Sequence, residues 1–97
     1  MTGEPGQASI DRVLRGIPRW LLRRYLEDLG GKATAEYGLT EEDLLDGDGW
    51  SASLAQIEDY RIGSLSSGQV RIRVTGEPET VAALMTALEP RLFRGGG

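Results

Sequence analysis

"GQVRIRVTGEPETVAALMTALEPRL" occupies residues 68–92, and its periodicity changes once along its length. Val70, Ile72 and Val74 alternate with Gln69, Arg71, Arg73 and Thr75, the period-two pattern of a strand with one buried face. After Gly76 the spacing becomes helical: Val81, Leu84, Met85 and Leu88 fall at i, i+3, i+4 and i+7. Pro78 suits the first helical turn, and Glu77 and Glu79 suit the positive end of the helix dipole. Pro90 is predicted to end or kink the helix, because it pushes Glu89 out of helical geometry. A half-buried strand followed by a helix with one apolar stripe points to an α+β layer.

Toward the N-terminus, "WSASLAQI" (50–57) and "YRIGSL" (60–65) read as two more strands, with "SLSSGQ" (64–69) as a short hairpin loop. Trp50, Ala52 and Leu54 share one face, and the parity slips at Ile57, which predicts a bulge. In "TEEDLLDGDG" (40–49) Thr40 and Asp43 resemble a capping box, predicting one short helical turn, and the two Asp-Gly steps read as turns. This acidic segment is expected to be an excursion between strands. "KATAEYGL" (32–39) alternates as a half-buried strand.

"PRWLLRRYLEDLGG" (18–31) is the clearest helix, with Leu21, Leu22, Tyr25, Leu26 and Leu29 on one face and Gly30-Gly31 as its stop. Arg23–Glu27 and Arg24–Asp28 are i,i+4 pairs on the other face. "IDRVLRGI" (10–17) reads as a first strand, although its spacing also fits a helical turn. The order is therefore β-α-β-β-β-β-α: a curved antiparallel sheet with both helices on one face and the other face partly free. The expected domain spans 10–93, between a flexible polar arm (1–9) and a flexible glycine tail (94–97).

The 97 residues suffice for one domain with a modest core. There is no cysteine and no histidine, which removes disulfides, thiolate chemistry and the usual general bases. The expectation is a non-enzyme with no cofactor, in the cytoplasm and without a membrane span. The net charge of −4 is segregated: residues 1–35 carry +2, residues 36–59 carry −8, and residues 60–97 carry +2. Such runs are most often solvated surface; the functional alternative is an acidic face for a basic partner, or self-association.

Asp46 and Asp48 in "DGDG" invite a calcium reading. The fifth place of such a loop is Trp50 and the sixth Ser51, so a turn is the better assignment. An acidic pI of about 4.8 argues against nucleic acid. The candidate interaction residues are Arg12, Arg15, Arg19 and Trp20 near the first helix, with Glu41, Glu42, Asp43, Asp46 and Asp48 in the acidic segment. Trp20 is expected to be partly buried at the core edge, with an interface anchor as the alternative. Trp50 is expected in the core.

The terminal "LFRGGG" (92–97) resembles the Gly-Gly end of ubiquitin-like sulfur carriers, which would make Gly96 and Gly97 a reactive terminus. Those carriers lead into the glycines from a strand, whereas here a helix precedes them, and glycine is an ordinary helix stop.

"RGIPRWLLRRYLEDLGG" followed by "DGW", "YRIGSL", "VRIRVTG" and the final helix resembles the small C-terminal domain of bacterial MoaD-related proteins. The resemblance covers about residues 12–94. It implies a TATA-box-binding-protein-like fold and an association with molybdopterin biosynthesis or sulfur transfer, and it carries over no catalytic residues. It also implies a protein partner, either a MoaD-like sulfur carrier or a molybdopterin synthase component, with a homodimer as a further possibility. In that family a sulfur-carrier domain comes first, where here only a short polar arm is seen. The expected role is an accessory interaction domain; the alternatives are a carrier activated at its terminus and a small-ligand-binding domain.

Overall fold

A computed structural model describes residues 7–34 and 42–96. Its elements are β1 (Ala8–Arg15), α1 (Arg19–Asp28), β2 (Lys32–Ala33), β3 (Glu42–Gly47), β4 (Trp50–Ile62), β5 (Leu65–Gly76) and α2 (Pro78–Gly96). The strands form one antiparallel sheet in the order β1-β5-β4-β3-β2. The chain thus goes from one edge of the sheet to the other through α1 and returns by three successive hairpins.

The alternation in β5 decides the layering. Val70, Ile72 and Val74 are buried, and their neighbours Trp50, Ala52 and Leu54 on β4 face the same way. Leu22 and Leu26 of α1 and Val81, Leu84, Met85 and Leu88 of α2 close over this face. Each fully buried Leu or Val contributes about 1.5–3 kcal/mol from apolar surface removed from water. The opposite face carries Asp11, Arg71, Arg73, Ser53 and Leu44 and has no covering element among the described residues.

Helix α1 begins at Pro18, whose carbonyl accepts from the Leu21 and Leu22 amides. It ends in a Schellman arrangement: the Gly30 amide donates to Glu27 and the Gly31 amide to Leu26, with Gly30 at φ 108. The Arg23–Glu27 pair forms at 3.3 Å, whereas Asp28 faces Arg91 of α2 at 3.7 Å. The Arg91 guanidinium also lies 5.9 Å from the Tyr25 ring centre, so charge and ring contacts join the two helices.

Four expectations need correction. The acidic segment is not a helical excursion: from Glu42 it is strand β3, with Asp43 and Leu45 inward. Asp48-Gly49 is the turn that joins β3 to β4. β4 and β5 form one long hairpin turning at Gly63-Ser64, because Ile62 pairs with Leu65; "SLSSGQ" is largely strand. The expected irregularity near Ile57 is present as a register shift between Ile57 and Tyr60. Thirdly, α2 does not end at Pro90 but runs through it to Gly96, into the expected tail. Pro90 cannot donate to the carbonyl four residues earlier, yet Leu92 still packs on the core beyond it, and that burial sustains the helix. Lastly, β1 starts at Ala8, two residues inside the expected arm. Of the strand expected at 32–39 only Lys32–Ala33 is assigned, and residues 35–41 lie outside the described residues.

Candidate functional site

Arg19 and Asp43, expected on the surface, are both buried, with side chains 8% and 4% exposed. Arg19 sits three residues before Leu22 and seven before Leu26, on the buried stripe of α1, and Asp43 shares the inward parity of Leu45. The Arg19 Nε lies 3.1 Å from Asp43 Oδ2, a close ion contact that is not aligned as a hydrogen bond. Arg23 donates to Asp43 Oδ1 at 3.1 Å and to Glu27 at 3.3 Å. One carboxylate of β3 thus holds two guanidiniums of α1. Isolated charges at this depth would be costly, so these three groups are held together as a structural clamp.

The other acidic candidates are exposed: Glu42 on β3, Asp46 accepting from the Ser51 hydroxyl at 3.0 Å, and Asp48 in the turn. Glu41 and Gly97 lie outside the described residues. Gly96 is the last residue of α2. Trp20 is 51% exposed, contrary to the expected burial, because it projects about 200° round the helix from Leu22. Trp50 is buried as expected, its indole stacked over the backbone of Gly47.

A groove of about 220 Å³ lies between β1 and the last turns of α2. Leu14, Ile17 and Leu92 form its apolar floor, and Arg12, Arg15, Glu89 and Phe93 stand around its rim. Arg12 is tied to Glu89 at 3.1 Å, which links strand to helix, while Phe93 is 81% exposed. Phe93 therefore marks the groove but is not packed at the end of the fold. Sequence reasoning found Arg12 and Arg15 and missed Glu89 and Phe93. The stripe of α2 continues through Leu92, so extending the helix past Pro90 would have placed Phe93 on its outer side.

On the open sheet face, Arg71 donates to both oxygens of Asp11, through Nε at 2.9 Å, and Arg73 approaches the same carboxylate at 3.6 Å. The hydrogen bond from Arg71 lowers the Asp11 pKa below the ordinary carboxylate value, with Coulomb attraction to Arg71 and Arg73 adding to it against desolvation. Beyond the reach of β1 and β3, the β4–β5 hairpin projects as a two-stranded ribbon whose tip exposes Ile62 (60%) and Leu65 (74%). Among the described residues no group of three or more acidic, His or Cys side chains is placed to hold a metal, and no helix is long and apolar enough to cross a membrane.

No curated protein matches the chain. A family described as archaeal MoaD-like protein matches over residues 10–97, which bears out the MoaD-like part of the resemblance. The five-stranded sheet, its two covering helices and the groove beside Phe93 are accordingly features of a chain that belongs to the archaeal MoaD-like family.

Proposed function

We propose that this chain is a non-enzymatic interaction domain of a cytoplasmic sulfur-transfer or molybdopterin-forming system, which docks a protein partner on the groove between β1 and α2. The observation that carries the reading is the exposed Phe93 standing over an apolar floor, with arginines on the rim. Aromatic and arginine side chains around a small concavity are the composition that concentrates binding energy at protein interfaces. The MoaD-like family match supports a partner from sulfur-transfer systems, read here as a MoaD-type sulfur carrier or a molybdopterin synthase component. The architecture is read as the TATA-box-binding-protein-like fold, used without nucleic acid, in keeping with the net charge of −4.

Calorimetric titration with a purified MoaD-type carrier tests this directly. Phe93→Ser and Arg12→Glu should each weaken binding at least tenfold, about 1.4 kcal/mol. Equal affinity for both variants, or no heat with carrier or synthase, refutes the reading.

A second reading, a carrier activated at Gly97, is favoured by one observation: the family match extends to the last glycine. Against it stands α2, which is helical to Gly96 and would have to unwind to present an extended tail. Incubation with a MoaD-activating enzyme and ATP decides: an acyl-adenylate detected by mass spectrometry, and lost when 95–97 are trimmed, establishes the carrier.

A further inference from the structure

The two edges of the sheet are built differently. Among the described residues β2 offers only Lys32–Ala33, whereas β1 is an eight-residue edge strand in unbroken register with β5 and contains no proline or bulge. Proteins usually blunt a long edge, because its unpaired N–H and C=O groups invite another strand. We propose that β1 pairs with β1 of a second copy of this chain, antiparallel about a two-fold axis at Val13, to give a continuous ten-stranded sheet.

The hydrogen-bond phase of β1 puts the right groups outward. The Gly16 amide donates to the Gly68 carbonyl at 3.0 Å, in the register that pairs Arg15 with Gln69. Alternation then turns Leu14, Arg12 and Ile10 toward β5, and leaves the N–H and C=O of Arg15, Val13 and Asp11 pointing away from the sheet. Centred on Val13, these three meet Asp11, Val13 and Arg15 of the copy and form about six backbone hydrogen bonds.

The side chains select this register over its neighbours. It sets Val13, 51% exposed, against Val13 of the copy, and it sets Asp11 against Arg15 on both sides of the axis. Moving the centre to Arg12 stacks Arg12 on Arg12, moving it to Asp11 stacks Asp11 on Asp11, and moving it to Leu14 sets Val13 against Arg15. Asp11 already holds Arg71 and Arg73, so Arg15 of the copy joins an existing cluster on a carboxylate with about four acceptor sites. Only a few residues per strand overlap, so the dimer belongs to the weak, concentration-dependent class. This pairing does not depend on the carrier reading, and the measurement involves no carrier.

Sedimentation of the full chain up to about 1 mM, where even a millimolar dissociation constant populates the dimer, provides the test. Wild type should dimerise with concentration. Val13→Pro should abolish this: proline removes an outward N–H that no internal bond uses, so thermal unfolding should stay near wild type. Arg15→Asp, which sets two acids together at each end, should weaken dimerisation at least tenfold, and more at low salt. A monomer throughout the concentration range, or a dimer indifferent to both variants, overturns the proposal.

Discussion

Replacing Asp43 by Asn tests the buried clamp with almost no change of shape. The Asp43 side chain is 4% exposed and lies 3.1 Å from one nitrogen of Arg19 and 3.1 Å from one of Arg23. With the carboxylate gone, Arg23 retains Glu27 and some contact with water, since it is 14% exposed and Glu27 42%. Arg19 is 8% exposed and loses its 3.1 Å contact with the carboxylate. Removing one partner of a buried ion pair costs about 3–5 kcal/mol, a large part of the 5–15 kcal/mol typical of whole domains. For a chain of this length the melting temperature should fall by at least about 12 °C. Urea denaturation should show a lower midpoint at unchanged slope, and added salt should alter the loss little, because buried pairs are weakly screened. The double variant Arg19→Met/Asp43→Leu should recover most of the loss, since apolar groups of similar volume satisfy each other in the same space. A loss below about 1 kcal/mol for Asp43→Asn, or no recovery in the double variant, would refute the assignment of this cluster as the tie between α1 and β3.

Further outcomes follow from the same geometry. Gly47→Ala would place a methyl group 2.0 Å from the Trp50 ring, so the indole must move; overpacking should cost about 1–3 kcal/mol and show in the near-ultraviolet dichroism and tryptophan emission. Asp11 should titrate by carbon NMR below ordinary aspartate, because Arg71 hydrogen-bonds its charged form, and Arg71→Gln should bring the midpoint back up. The folded-state pKa is lowered, so the stability linked to Asp11 is present above the ordinary aspartate range and is lost as pH falls through the lowered value. Leu65→Thr at the ribbon tip should change stability by less than about 0.5 kcal/mol, as Leu65 is 74% exposed and the change keeps a strand former.

Much of the fold was legible because periodicity survives into packing. The alternation of Val70, Ile72 and Val74 and the stripe from Val81 to Leu88 are buried as their spacing requires. β3 was not legible, since its inward position is held by Asp43, and a charged residue at a buried parity looks like a loop when its counter-charge is unknown. The same blindness hid Arg19. Its place at three and seven residues before Leu22 and Leu26 was a usable signal, but charge alone argued for the surface. Of the candidate site, Arg12 and Arg15 were readable as cations beside a helix start, while the groove they border was not, because it forms only where the last turns of α2 lie beside β1.

By itself the amino-acid order determined which segments of β5, α1 and α2 alternate or turn helical, and where Gly30 ends α1. These are local consequences of side-chain spacing and backbone freedom. Only the tertiary structure decided which charges are buried and which are displayed. Arg19 and Asp43 stand 24 positions apart, and their attraction exists only once α1 lies against β3. The edge position of β1 was likewise set by topology: the last hairpin returns β5 to one side, and among the described residues no strand pairs with the other.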